Sequence, residues 1–493
     1  MTLSHCWGRV NHLTLTKATY ADLRSGIPLT RLRRLFQDAI YCARNLGARY
    51  LWIDALCIFQ DKNDLSDWNR EAPAMQHVYS NSLCNISAVD APDGTHPLFH
   101  TREASALPST DADGEPEQLV FHDDQFWQRQ VSRAVLHTRA WVVQERLLAP
   151  RVLHFGAQQI LWECAELNAA ETYPEGLPDC IPTGTGKGSL EIPSSSSNDD
   201  DGTALFGPEQ ALDAWSEVVR VYTLCNLTQP GDKLVACAGL AKRIAAASSL
   251  SSGQYVAGLW LHQLQCQLLW EVAANPFPRR RRLGDTSRPA VYRAPSWSWA
   301  SVDGPVNLSP VSRGPRTMTL VGVTDVCVEN EGGRADPFGA VRRAEISLRG
   351  TLRPIEILEP YRDPNSRFTS ASRIRLRGGG GASAEEEAQL LDQHSFSIDV
   401  VQPHFRAENA AGELYMMAMA LAPQAHGRDM DMYFLLLQVV DRARGAYRRI
   451  GVARWWMKES TRERQEELLL RFDEQREAPC VEFSDMLYTI VVV

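Results

Sequence analysis

The sequence predicts an α/β N-terminal domain, a parallel sheet flanked by helices, followed by a helical segment and a β-rich C-terminal region. Three observations carry that prediction. Residues 1–165 alternate apolar runs of strand length with amphipathic stretches, joined by short connections, as in a parallel α/β sheet. Residues 209–310 carry apolar positions at helical spacing and several tryptophans. From Met318 onward, short runs rich in β-branched and aromatic residues recur between turn signals, which is the pattern of antiparallel strands. The implied division is 1–165, a disordered linker at 166–208, a helical, Trp-rich segment at 209–310, and a β-rich region at 311–493.

Thr2 to Cys6 reads as the end of a first strand whose beginning is missing, so that strand is expected to be truncated. Residues 31–46 place Leu32, Leu35, Phe36, Ala39, Ile40 and Ala43 on one helical face, with Thr30 as N-cap and Gly47 as the stop. Residues 49–61, RYLWIDALCIFQD, form a continuous apolar run, expected as a strand over 50–58 buried on both faces. A second amphipathic helix is expected over 65–79, kinked or started late at Pro73. A short strand follows over 84–89. After a polar excursion come a helix over 137–148 and strands over 152–155 and 159–164.

The linker carries GTGKGS and SSSSNDDDG, compositions that do not build a core. Helices are expected over 210–224, 233–247 and 256–272. The later strands are MTLVGVTDVCV, AEISLRGTL, HSFSIDVV, ELYMMAMAL, MYFLLLQVV, YRRIGVARW and MLYTIVVV, interrupted by the flexible tract GGGGASAEEE at 378–387.

The 493 residues, at roughly 150 per domain, allow two to four domains. A net charge of -9 disfavours nucleic-acid binding through bulk charge. The eleven cysteines are odd in number, with no CxxC pair. Cys57 and Cys84 sit in apolar runs, where cysteine packs as a small hydrophobe, and the pattern fits a reducing compartment. No signal peptide is visible, and the most apolar window, 255–272, is broken by His262, Gln263, Gln265 and Gln267, too polar to span a bilayer. These features predict a soluble, cytoplasmic protein without a membrane partner, and no motif requires a cofactor.

Asp54 is a lone carboxylate in an apolar run, and a buried acid needs a partner or a chemical role. Parallel sheets place ligands beyond the carboxyl ends of their strands, where Gln60 and Asp61 would lie. Ser4, His5, Trp7 and Gly8 follow the first strand in the same way. Trp7 can stack on a flat base and Gly8 can let backbone approach a phosphate, or the segment is a strand-ending turn with a packed indole. His5 is a weaker candidate for a general base, since a lone histidine is more often structural. Asp54, Asp61 and Glu71 offer a carboxylate cluster for a divalent ion, as in a nuclease, though their spacing is not diagnostic. GTGKGS lacks the leading glycine of a phosphate loop and has Gly188 where the metal-binding hydroxyl belongs. Arg279 to Arg282 reads as a solvated loop and PSWSWAS as a packing element.

Five blocks occur in order: LSHCWG at 3–8, IPLTRLRRLFQDAI from Ile27, RYLWIDALCIFQD at 49–61, DWNREAPAMQHVYSNS from Asp67 and RAWVVQERLLAPRVLHF from Arg139. Together they resemble the fungal heterokaryon incompatibility (HET) domain. LTQPGDKLVACAGLA from Leu227, YVAGLW at 255–260 and APSWSWASVDG from Ala294 more loosely resemble the region that often follows it. Two features depart from the family pattern: the chain starts inside the LSHCWG strand, and Pro73 interrupts a helix that usually lacks proline.

The resemblance implies a role in non-self recognition and cell death between incompatible fungal cells. It also implies self-association and partners among other incompatibility or receptor proteins. HET domains in turn distantly resemble TIR domains, some of which cleave NAD. By that resemblance the block from Trp141 to Glu145 is similar to the helix bearing the catalytic glutamate, with NAD as substrate. Ser4, His5, Trp7, Gly8, Asp54, Gln60, Asp61, Arg139 and Trp141 would line the pocket. Cleaving the nicotinamide–ribose bond develops oxocarbenium character, which a carboxylate such as Glu145 can stabilise. The competing expectations are a solvated Glu145 paired with a nearby arginine, and a non-catalytic interaction module. The catalytic reading requires Trp7, Gln60 and Glu145 to share one rim of the sheet.

Overall fold

Two units make up the computed structural model, Met1–Leu205 with Cys225–Ala247 and Phe206–Leu224 with Ser248–Val493. It describes residues 1–9, 13–61, 63–101, 123–184, 186–187, 207–273, 286–308, 311, 316–331, 336–358, 373–377, 394–399, 406–424, 428–470 and 478–493. The polyarginine run, the tract at 378–387, Gly188 and the serine-rich stretch at 194–202 lie outside the described residues.

In the first unit, strand β1 (Thr2–Ser4) leads into helices α1 (Tyr20–Ser25), α2 (Arg34–Asn45), α3 (Asp54–Cys57) and α4 (Ser66–Ser80). Strand β2 (Asn85–Ser87), helix α5 (Ala140–Leu148) and strands β3 (Arg151–Phe155), β4 (Ile160–Cys164) and β5 (Asn168–Ala170) follow. The five strands form one sheet in the order β1-β2-β3-β4-β5. β1, β2 and β3 run parallel, whereas β3, β4 and β5 alternate. The sheet is therefore mixed rather than wholly parallel. The turn between Phe155 and Ile160 is too short for the crossover that a parallel pair needs. β5 also falls inside the stretch read as linker, whose first part is ordered against β4.

α2 buries Leu35, Phe36, Ala39 and Ala43 of the expected stripe together with Cys42, whereas Leu32 precedes the helix and Ile40 is partly buried. The N-cap of α2 is Arg33 rather than Thr30, which lies within a separate turn at Leu29–Arg31, and Gly47 ends the segment with φ +76. α4 runs through Pro73 without a break. The largest local departure is at 49–61. Trp52 makes only a single parallel bridge to Thr2, and the chain then turns into α3 instead of continuing as a strand. A short apolar run does not distinguish a buried strand from a buried helical turn. Here the Asp54 carboxylate accepts the Ala55 N–H at 2.7 Å in the first turn, which favours the helix.

Helix α6 (Pro208–Thr223) belongs to the second unit, and α7 (Ala238–Ala246) returns to the first. The helix expected over 256–272 is absent. Strands β6 (Tyr255–Val256) and β7 (Leu259–Trp260) form a hairpin, followed by the single turn α8 (Leu264–Gln267) and strand β8 (Glu271–Val272). Ala257 and Gly258 have φ of 47° and 94°, the left-handed pair that a two-residue hairpin demands. β8 pairs with β9 (Val306–Asn307).

The rest of this unit is an eleven-stranded sheet, antiparallel except for a two-residue parallel contact. Its strands include β10 (Met318–Thr319), β11 (Gly322–Asn330), β12 (Val341–Gly350), β13 (Leu352–Leu358), β14 (Arg373–Leu376) and β15 (His394–Ile398). They continue with β16 (Leu414–Pro423), β17 (Met430–Asp441), β18 (Ala446–Met457), β19 (Glu482–Ser484) and β20 (Leu487–Val492). Met416, Phe434, Leu436 and Trp455 centre its core.

β15 lies on Gly451 of β18, where an added Cβ would collide with the Ser397 carbonyl oxygen and sit 3.1 Å from the Ile398 Cα. Gly451→Ala is expected to destabilise this unit by about 1–3 kcal/mol in urea unfolding. A loss below about 0.5 kcal/mol, the range of a surface change, would contradict that close approach.

Candidate functional site

The carboxyl ends of β1, β2 and β3 carry Ser4, Ser87 and His154, the rim where an open parallel sheet presents ligands. Helix α5 supplies Glu145 to this rim. Every residue of α5 except Ala140's neighbour Trp141 is buried, so the helix is held on all sides rather than laid on a surface. Glu145 is 4% exposed. It accepts hydrogen bonds from the Ser4 hydroxyl and, at 2.9 Å, from the Tyr79 hydroxyl of α4. Burial pushes its carboxyl above the usual range, against the opposing pull of Arg139. Burial also raises the Tyr79 phenol. Glu145 is thus neither solvated nor paired with Arg146, contrary to the simpler sequence reading.

Beside this pair lies a second group. The Trp7 indole N–H donates to Asp54 at 2.8 Å, and His5 Nδ1 stands 3.7 Å from the same carboxylate. Gln60 donates to the carbonyls of Asp54 and Ile58 at 3.3 and 3.0 Å. Arg139 donates to the His5 carbonyl. Ser4, His5, Trp7, Asp54, Gln60, Arg139 and Glu145 therefore share one neighbourhood, with Tyr79 and Asn85 added. Asn85 donates to Ser4 Oγ at 3.0 Å.

The remaining expected residues go elsewhere. Trp141 donates to Asp232 at 3.3 Å and stacks edge-on against Trp68. Asp61 accepts the Lys17 N–H at 3.0 Å. Gly8 has φ +66, but the space a Cβ would take is filled by Asp93, an acid, which disfavours a phosphate at that point. Glu71 pairs with Arg70 at 3.0 Å. Asp54, Asp61 and Glu71 are thus dispersed, and among the described residues no group of three acidic, histidine or cysteine side chains is placed to hold a metal.

A buried ionic centre that the sequence reading did not identify joins β2, β3, β4 and α5. Arg146 grips Glu163 with two bonds of 2.7 and 3.0 Å. His154 bridges Glu163 at 3.1 Å and Ser87 at 3.1 Å. The Lys187 ammonium donates to the carbonyls of Arg146 and Ala149 at the end of α5, a position where a cation meets the helix's negative pole. The lysine of GTGKGS is thus a helix-end partner here and not a phosphate ligand. Glu163 is held well below the carboxylate range by Arg146 and His154 despite its burial, and burial lowers both His154 and His137. Burial also brings Lys187 down to about 8. A signal for this centre existed in the sequence. His154 and Glu163 are lone polar residues inside apolar strands, the same anomaly that singled out Asp54.

Residues 1–145 match the family model described as Heterokaryon incompatibility protein (HET). No curated protein and no solved structure matches the chain. Among the described residues no helix is long and apolar enough to cross a membrane.

Proposed function

We propose that this chain is an effector of heterokaryon incompatibility whose first unit cleaves NAD in the cytoplasm, with Glu145 against the ribose. The domain match supports the incompatibility role. The observation that supports the chemistry is convergence: Glu145, Ser4, His5, Trp7, Asp54 and Arg139 meet at one rim. Water adds to the ribose C1′ and nicotinamide leaves with the electron pair of the N-glycosidic bond, giving ADP-ribose and a proton. Glu145 would stabilise the cationic sugar and Trp7 would offer a flat surface to a base. Glu145 is closed over by Ser4 and Tyr79, so entry of substrate requires α4 and β1 to part, a change that self-association or contact with other incompatibility or receptor proteins would supply.

The burial of Glu145 favours a second reading, in which the unit is a non-catalytic module and Tyr79–Glu145–Ser4 ties α4, α5 and β1 together. Purified full-length protein should consume NAD at rising protein concentration, and Glu145→Gln should fall to the background rate. The amide oxygen can still accept from Ser4 and Tyr79, so equal melting temperatures check that folding is kept. Equal consumption by both forms removes Glu145 from the mechanism. Absence of consumption at every concentration supports the non-catalytic module.

A further inference from the structure

The second unit carries an open pocket of about 470 Å³, a size typical of small-molecule sites. Five arginines line it, Arg288, Arg293, Arg342, Arg343 and Arg448, with Glu345 as the single acidic side chain in the lining. Three of the five are matched. Arg288 pairs with Asp399 at 3.0 Å, Arg293 with Asp303 at 2.9 Å and Arg343 with Glu345 at 2.8 Å. Glu345 also serves Arg444 at 3.0 Å, so it neutralises Arg343 only in part. Arg342 and Arg448 have no carboxylate partner among the described residues. Arg448 donates to the neutral amide of Gln438 at 2.5 Å.

The backbone is arranged to bring this excess together. Glu329 pairs with Arg343 and Asn330 with Val341, which makes Arg342 the extra residue of a β-bulge in β12. Regular alternation would send Arg342 and Arg343 to opposite faces, whereas the bulge sets both on the cavity wall. Guanidinium groups gathered at one wall repel each other unless an anion joins them, and the planar fork of arginine suits phosphate oxygens. Beside them, Tyr292 is 53% and Val291 79% exposed. A half-open aromatic ring next to cations matches a ligand with phosphates at one end and a flat ring at the other.

We propose that this cavity binds a phosphorylated metabolite of nucleotide size, its phosphates on Arg342, Arg343 and Arg448 and its ring on Tyr292. The site is independent of the Glu145 chemistry. Calorimetric titration of the full chain with ADP, tripolyphosphate and adenosine tests it. ADP should bind more tightly than either fragment, and its affinity should fall as salt rises. Arg342→Ala, an exposed change that removes no ion pair, should weaken ADP and tripolyphosphate about tenfold, the loss of about 1.4 kcal/mol. Tyr292→Ala should weaken ADP and leave tripolyphosphate unchanged, and Glu145→Gln should leave ADP binding unaltered. Wild-type protein that binds neither ADP nor tripolyphosphate overturns the proposal. So does ADP affinity unmoved by Arg342→Ala. Tripolyphosphate binding as tightly as ADP, with Tyr292→Ala silent, overturns the nucleotide class.

Discussion

Arg449→Met is expected to destabilise the second unit by about 3–5 kcal/mol, the range for breaking a buried ion pair. Arg449 is fully buried. Its guanidinium binds Asp399 through Nε at 3.1 Å and Nη2 at 2.9 Å. It also donates to the Leu268 carbonyl at 2.6 Å and to the Trp270 carbonyl, while lying 3.4 Å from the centre of the Trp270 ring. Burial lowers its pKa even with Asp399 beside it. Methionine would fill part of the volume but leave two buried carbonyls without donors. Asp399 would keep Arg288, which places the loss toward the lower end of the range. Arg428→Met is the control: Arg428 is an exposed partner of Glu459, and such a pair contributes about 0–1 kcal/mol. Urea unfolding followed by near-ultraviolet circular dichroism measures both. Equal losses in the two variants would show that the buried pair adds nothing beyond a surface one.

The second large effect is expected in the first unit, from Glu163→Gln. The amide matches the carboxylate in shape but leaves Arg146 and Lys187 buried without a counter-charge, a loss of about 3 kcal/mol or more. It also changes the pH dependence. Glu163 is depressed in the folded state, so its stabilisation is present above the ordinary carboxylate pKa and is lost as pH falls through the folded value. His154 and His137 are also depressed, from 6.5. Each binds its proton less readily in the folded state than in the unfolded one, so its effect is likewise present above 6.5 and lost in acid. Both signs agree. Stability of the first unit should fall from pH 7 to 5 by up to about 1.4 kcal/mol per pH unit for each histidine, with the Glu163 share lost below that window. Glu163→Gln should remove the lower-pH share. Glu145, raised by burial, acts in the opposite direction as pH falls, so the test is run on a Glu145→Gln background, where a flat profile between pH 7 and 5 would refute the depressed histidines.

Segments whose period was long and regular were legible in the sequence. α2 shows its stripe directly, and β16, β17 and β18 follow from long apolar runs. Short apolar runs misled. At 49–61 a hydrogen bond from the Ala55 N–H to the Asp54 carboxylate accompanies the helical turn, and over 255–272 Ala257, Gly258 and Gln263 take positive φ. The site was half legible. Ser4, Trp7 and Asp54 stood out by type and place and Glu145 only through the family resemblance, but Tyr79 lies 66 residues from Glu145 and nothing local announces that they meet. Trp141 looked equally suited to a pocket, and only packing against Trp68 and Asp232 turns it elsewhere.

The interleaving of the two units in the chain has a consequence for synthesis. α7 follows α6 in sequence yet completes the first unit, where Gly239 donates to Gln144 of α5 at 2.9 Å and fits only because it lacks a side chain. A fragment stopped at residue 165 would leave the α7-facing side of α5 bare, and such bare apolar faces tend to aggregate. On the ribosome, the N-terminal unit has to wait for Ala246 to emerge before it can seal, by which time α6 of its neighbour is already outside the tunnel.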